Sequence, residues 1–163
     1  MTSNSINPDL DLVFERIVDI PPHLIWAAWT RSDYLVHWFC PLPWKTIACE
    51  IDLRPGGKFS TIMQSPEGGQ FPNEGCYLEL IENQKLVWTD TLTADYRPAN
   101  KNHLGFSFTA TIQLEPYGEG TKYTATVFHA TPEHRQQHVD MGFQEGWGIA
   151  LNQLIAFMKT VKQ

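Results

Sequence analysis

Six segments of β-strand character fill the middle of the chain, and short turns separate most of them. The segments lie at residues 44–52, 58–64, 70–80, 85–92, 104–115 and 121–130. In the fifth segment hydrophobic and polar residues alternate, which places one face of a strand in a core and the other face in solvent. Most of the breaks are rich in Gly, Pro and Asn, which favour turn conformations. Because short turns join antiparallel neighbours, the series predicts an antiparallel sheet.

A further strand and two short helices precede this series, and a long helix follows it. Residues 10–20 alternate as a strand does, and Pro21-Pro22 ends the alternation and suits a helix start. Ser32 is a candidate N-cap for a second short helix. After the sheet, Thr131-Pro132-Glu133 has the pattern of another helix start. It opens either the long helix itself or a short helix that leads into it.

The C-terminal segment carries an apolar stripe that we expect to pack against the sheet. Its members recur every three or four residues, as on one face of a helix: Val139, Phe143, Trp147, Ala150 or Leu151, Leu154, Met158 and Val161. Gly142, Gly146 and Gly148 are unusual here, because glycine in a helix interior costs about 1 kcal/mol relative to alanine. A close backbone approach, a kink or a space beside a cavity would each account for them.

Length and composition narrow the class of protein. A chain of 163 residues is in the range of one domain, so we expect a disordered tail at 1–8 and a single domain at 9–163. The three cysteines lack a C-x-x-C pair, which argues against a disulfide framework and favours the cytoplasm. The net charge of −6 without a basic run argues against nucleic acid as a partner. No apolar stretch approaches the ~18 residues of a spanning helix, which argues against membrane insertion.

Several short stretches, taken in order, resemble a known superfamily. They are IPPHLIWAAWT at 20–30, WFCP at 38–41, DLRPGG at 52–57, EGCYLEL at 74–80, KLVWT at 85–89 and GWxxxLxxL at 146–154. Together they resemble the SRPBCC (START-like) superfamily and, more narrowly, the family named after the C-terminal domain of the activator of the heat-shock-protein-90 ATPase. The resemblance implies an α+β helix-grip fold. In that fold a curved antiparallel sheet of about seven strands, with two short helices after the first strand, wraps around a long C-terminal helix.

The same resemblance implies a deep apolar cavity between the sheet and the C-terminal helix. The aromatic content of 12% is consistent with such a cavity, since small-molecule sites are mostly apolar and aromatic. The residues predicted to line it are Trp38, Phe39, Trp44, Tyr77, Trp88, Phe106, Phe108, His129, Phe143, Trp147 and Leu151. The alternative for each is a core position that touches no ligand.

The histidines carry the only indication of polar chemistry in this region. Strand parity places His129 on the same face as Ala125 and Val127, close to the expected cavity mouth. Its ring either donates a hydrogen bond to a ligand or is satisfied by backbone or water. His134 and His138 lie four residues apart and could clamp a metal ion, but the sequence places no third ligand, and a solvated polar face is the alternative. We therefore expect no metal site and no cofactor.

Three classes of function remain. A carrier or sensor of a small hydrophobic molecule leads, because a pocket-type composition is present while nucleophile, phosphate-loop and zinc-protease motifs are absent from the sequence. An enzyme of the cyclase or hydratase kind, with His129 as acid or base, is the second. A co-chaperone-like module that stimulates a heat-shock ATPase is the third, although we expect the chain to lack the additional N-terminal domain of the eukaryotic co-chaperones. A chaperone or a second copy of the chain is the corresponding macromolecular partner.

Overall fold

The computed structural model describes residues 6–100 and 105–161. The strands in this part of the chain are β1 Asp11–Val18, β2 Lys45–Ile51, β3 Lys58–Gln64, β4 Gln70–Ile81, β5 Lys85–Thr89, β6 Leu92–Thr93, β7 Arg97–Pro98, β8 Phe108–Tyr117 and β9 Gly120–His129. The helices are α1 Pro22–Thr30, α2 Ser32–Leu35, α3 Pro132–Asp140 and α4 Phe143–Thr160, and a 3-10 turn covers Ala94–Tyr96.

Seven of the strands form one antiparallel sheet in the order β1-β9-β8-β5-β4-β3-β2. Strands β2 to β5 pair with their neighbours in sequence, as do β8 and β9, whereas β1 pairs with β9 at the far end of the chain. Helix α4 contacts α1 and β1, and α1 contacts β8. The predicted α+β helix-grip fold is confirmed: two short helices follow the first strand, and the long C-terminal helix packs on the sheet.

The strand boundaries differ from the prediction beside β5. The predicted strand at 85–92 divides into β5 and the short β6, which pairs with β7 in a separate two-stranded ribbon. The Thr89 hydroxyl accepts the Thr91 backbone N–H at 3.1 Å and donates to the Phe108 carbonyl at 3.2 Å, so the chain turns there. The predicted strand at 104–115 begins at Phe108, whose N–H donates to Asp90, and residue 104 lies outside the described residues.

A turn at residue 7 positions the start of β1. The Asn7 carbonyl accepts the Asp11 backbone N–H at 2.8 Å, and the Asn7 N–H donates to the Asp11 carboxylate at 2.8 Å. Residues 1–5 of the predicted tail lie outside the described residues. The described part of that tail leads into the sheet through this hydrogen-bonded turn.

Two of the unusual glycines shape the C-terminal helices. Thr131 caps α3, as predicted, because its hydroxyl accepts the His134 N–H at 3.1 Å. Gly142 has φ +84°, a left-handed conformation that glycine adopts without steric cost, and it separates the short α3 from α4. A Cβ on Gly148 would lie 2.9 Å from the Arg16 guanidinium, so this glycine permits the close approach of α4 to β1.

The apolar stripe of α4 is buried against the sheet. Leu151, Leu154 and Met158 are at most 2% exposed. Val139 was predicted to belong to the same stripe, but it is 38% exposed. The reason is the left-handed Gly142: Val139 lies in α3, so the helical phase of α4 does not extend back to it.

Replacing Leu154 by alanine should destabilise the protein. The side chain is fully buried, and truncating a buried leucine typically costs about 2–5 kcal/mol. Urea unfolding of Leu154→Ala measures the loss. The control is Ile149→Ala on the same helix, where the side chain is 44% exposed and the expected loss is much smaller. Equal losses in the two variants would show that the packing of α4 is wrongly assigned.

Candidate functional site

An apolar cavity of about 280 Å³ lies between the sheet and the helices and is partly open to solvent. The sheet contributes one residue from each of four strands: Met63, Trp88, Phe108 and Tyr123. The helical side contributes Trp29, Trp38, Phe39, Cys40, Pro41, His138, Met141, Gly142, Phe143, Gly146, Trp147, Ala150 and Leu151. Among the lining residues that the structure describes there is no Asp, Glu, Lys or Arg. Because an unpaired charge is costly to bury, this lining suits an uncharged occupant.

Seven of the residues proposed from sequence lie on the cavity wall: Trp38, Phe39, Trp88, Phe108, Phe143, Trp147 and Leu151. They come from the sheet, from the segment after α2 and from α4. The rings of Trp88 and Trp147 are nearly parallel, with centroids 6.4 Å apart. Phe143 packs beside Trp147 at 5.1 Å. The sheet and the long helix thus supply facing aromatic surfaces.

Trp44 and Tyr77 lie away from this cavity. Trp44 precedes β2, which is one of the two edge strands of the sheet, and it is 37% exposed and packs on Phe71. Tyr77 is fully buried and stacks on Phe59, which itself contacts Trp88. Tyr77 therefore supports the wall from one layer further back, and Trp44 belongs to the rim of the sheet.

Phe106 and His129 are buried beside the cavity and line a neighbouring surface groove instead. Strand parity correctly predicted that the His129 side chain points into the protein, because it is buried on the same face of β9 as Val127. The Phe106 ring packs against the rings of His129 and His138 at 6.0 and 5.2 Å. His138 is the histidine of this group that reaches the cavity.

Several cavity residues were absent from the sequence-based set: Trp29, Cys40, Pro41, Met63, Tyr123, His138, Met141, Gly142, Gly146 and Ala150. The sequence did indicate that Tyr123 points inward, because it lies on the same face of the strand as Val127 and His129. Gly146 was indicated as well, since room beside a cavity was one explanation for a glycine in the helix. The sequence did not indicate that His138 reaches a cavity, because the residues that precede it on the helix are mostly polar.

Three polar groups of the wall are buried: the Trp29 indole, the Tyr123 phenol and the Cys40 thiol. The Trp29 indole N–H makes no hydrogen bond to any residue that the structure describes. Burial raises the pKa of the Tyr123 phenol, an effect that the nearby Trp29 N–H partly offsets. Burial also raises the pKa of the Cys40 thiol, whose sulfur lies 3.4 Å from the Thr46 hydroxyl. The phenol and the thiol are therefore neutral at physiological pH.

A chain of two hydrogen bonds connects His138 to the first strand. His138 Nδ1 lies 2.9 Å from His129 Nε2, and His129 Nδ1 lies 2.8 Å from the carbonyl oxygen of Leu10. The Phe143 ring packs edge-on against His138 at 5.1 Å. Both imidazoles are nearly inaccessible from outside. The suggested clamp of His134 and His138 is not the arrangement found, because the Nδ1 of His138 faces His129.

Burial determines the charge of this pair. It lowers the pKa of His138 to about 4, and the neighbouring His129 adds to the effect. The end of α3 favours a cationic histidine by only about 0.3–1 kcal/mol, whereas the shift to about 4 corresponds to roughly 3 kcal/mol. Burial likewise lowers the pKa of His129, against the opposing influence of Leu10 and Asp11 and with a smaller contribution from Arg135 and His134. Both rings are therefore neutral at pH 7.

Gln153 on α4 fixes the wall that follows α2. Its side-chain N–H groups donate to the carbonyls of Trp38 and Cys40 at 3.1 and 2.9 Å, and its oxygen accepts the Leu42 N–H at 3.0 Å. One amide thus satisfies three backbone groups in an irregular segment. The position of this wall depends directly on α4.

The fold and the cavity together define a helix-grip protein, in which a long helix covers a small apolar cavity on an antiparallel sheet. The profile of the family described as Activator of Hsp90 ATPase homolog 1-like protein matches residues 19–159. The chain belongs to this family, which confirms the resemblance to the SRPBCC superfamily.

Solved structures agree with this assignment. A protein from Nitrosomonas europaea is 45% identical, with a TM-score of 0.90 over 94% of this chain and 97% of that one. The AHSA1-like protein from Aeromonas hydrophila is 18% identical, with a TM-score of 0.70 over 94% and 99% of the two chains, and this likeness concerns the fold alone. A comparison with curated proteins finds no match. Within the described residues, none of the helices has the length and apolar character needed to cross a membrane.

The buried histidines should make stability depend on pH. The pKa of His138 is lower in the folded state than its ordinary 6.5, so the unfolded chain binds more protons between pH 6.5 and about 4. The contribution of neutral His138 to the free energy of unfolding is fully present above pH 6.5 and is lost as the pH falls towards 4. By pH 5 the loss is ~2 kcal/mol. Urea unfolding at pH 7 and pH 5 measures the difference.

Two variants test whether His138 causes this loss. His138→Phe should reduce the difference between pH 7 and pH 5, because the titrating group is gone. His23→Gln, at an exposed histidine, should keep the wild-type difference. The assignment is wrong if both variants show the same pH dependence as the wild type.

Proposed function

We propose that this chain binds a small, uncharged hydrophobic molecule in the cavity, as a carrier or sensor in the cytoplasm. The observation that carries the proposal is an open space of about 280 Å³ surrounded by large aromatic side chains. Protein interiors are close-packed and contain few voids larger than a water molecule. An apolar cavity of about 150 Å³ is enough to bind benzene, so this one has room for a molecule of two fused rings, and its opening to solvent leaves space for a further substituent ring.

The properties of the wall support binding more than catalysis. Among the described residues that line the cavity, His138 supplies the one imidazole, and burial lowers its pKa to about 4. A general base is most effective when its pKa is near the working pH, so at neutral pH this ring is a weak proton acceptor but a competent hydrogen-bond acceptor. That combination suits the recognition of a ligand. A contact with a chaperone or with a second copy of the chain stays a prediction from sequence.

Filling the cavity at Gly146 should abolish binding without harming the fold. A Cβ at this position would meet only the side chain of Pro41, at 3.8 Å, so a leucine can extend into the space. Glycine in a helix interior is unfavourable by about 1 kcal/mol, so Gly146→Leu should keep or raise the melting temperature. We expect the wild type to bind the neutral fluorophore N-phenyl-1-naphthylamine at about 1:1, with enhanced emission, and the variant to lose this enhancement.

The matched control is Ala156→Leu, which adds a leucine on the exposed side of the same helix. It should bind the fluorophore as the wild type does. If folded Gly146→Leu binds with unchanged affinity, the fluorophore occupies another surface and the proposal fails.

A further inference from the structure

The hydrogen bonds of the histidine pair determine where each proton lies. The Leu10 carbonyl can only accept, so His129 Nδ1 must carry the proton in the 2.8 Å bond between them. A neutral imidazole has a single N–H, so His129 Nε2 is an acceptor. The bond of 2.9 Å to His138 therefore receives its proton from His138 Nδ1. By the same rule, His138 Nε2 carries a lone pair.

This lone pair is the free end of the chain of hydrogen bonds. His138 lines the cavity, and its Nε2 makes no hydrogen bond to any residue that the structure describes. The ring packs against Phe106, Phe108 and Phe143 with centroids 5.1–5.2 Å apart. A ring flip would break the bond to His129, so the packing and the hydrogen bond together hold Nε2 available as an acceptor.

An acceptor in an apolar wall selects for a ligand that carries an uncharged hydrogen-bond donor. A hydroxyl group can donate to it, whereas an ether or a plain hydrocarbon leaves the lone pair without a partner, which is costly when the group is buried. An ionised carboxylate has no proton to donate and would bring an unpaired charge into the cavity. A neutral alcohol or phenol fits both requirements.

We propose that the cavity is selective for uncharged apolar molecules that carry a hydroxyl group, an alcohol or a phenol, whose O–H donates to His138 Nε2. This inference rests on the proposed function, because it names the class of ligand for the same cavity. His129 acts as a positioning residue, since it fixes the tautomer of His138 from the Leu10 carbonyl.

Four naphthalenes of similar size test the selectivity: 2-naphthol, 2-methoxynaphthalene, unsubstituted naphthalene and 2-naphthoate. Their affinities are measured at pH 7 by displacement of N-phenyl-1-naphthylamine. We expect 2-naphthol to bind about tenfold more tightly than the ether and the hydrocarbon, the ratio that corresponds to one net hydrogen bond. The ether is larger and the hydrocarbon smaller than the naphthol, so a preference over both is not steric. We expect 2-naphthoate to bind most weakly.

The outcomes separate the inference from the proposed function. Equal affinities for 2-naphthol and the ether would overturn the inference and leave the binding function standing. Tightest binding of 2-naphthoate would overturn the inference and also the restriction of the proposed function to uncharged ligands. If neither the fluorophore nor any of the uncharged naphthalenes binds, both fail. These comparisons use the wild-type chain, so they do not depend on the folding of any variant.

Two variants test whether His138 is the acceptor of the ligand's hydroxyl group. In His138→Phe the preference for 2-naphthol over the ether should fall to about one, because the acceptor is gone. The control is His134→Phe, which changes a histidine on the same helix that stacks on Phe106 but does not line the cavity. It should retain the preference. A preference that persists in folded His138→Phe would contradict the role of His138.

Discussion

The packing of helix α4 on the sheet is the interaction on which the rest of the structure depends. Its C-terminal half is tightly packed, with Leu154 and Met158 almost completely buried. Its N-terminal half carries small residues, Gly146 and Ala150, where it borders the cavity. One helix therefore anchors the core at one end and leaves a space at the other. Because Gln153 also ties the segment after α2 to this helix, the position of α4 determines the shape of the cavity.

The buried histidine pair places a hydrogen-bond acceptor on the wall of this apolar space. Burying two imidazoles is tolerated because each is neutral and each uses its Nδ1 in a hydrogen bond. The consequence is an asymmetric pair, in which the backbone of Leu10 fixes His129 and His129 fixes His138. A lone imidazole would be free to present either a donor or an acceptor to a ligand. The pair presents an acceptor, and the proposed preference for hydroxyl compounds follows from that difference.

The sequence predicted the fold well, because alternation and turn residues are local signals. Membership of the cavity was harder to predict. The resemblance and the aromatic content made Tyr77 and Trp88 candidates for the wall, but they could not show that Tyr77 stacks on Phe59, behind Trp88, and so does not reach the space. That depends on how segments distant in sequence pack together. For the same reason the roles of His129 and His138 could not be predicted. His129 is buried behind His138 and hydrogen-bonded to it, whereas His138 reaches the cavity. His138 lies on α3, which the left-handed Gly142 separates from α4.

The most direct test of the account is a crystal structure of the protein soaked with 6-bromo-2-naphthol, in which the anomalous signal of bromine locates the ligand without ambiguity. The account predicts a bromine peak inside the cavity, with the naphthalene ring against Trp88 and Trp147 and the hydroxyl oxygen within hydrogen-bonding distance of His138 Nε2. A cavity filled by the protein's own side chains, or bromine found only on the outer surface, would contradict it.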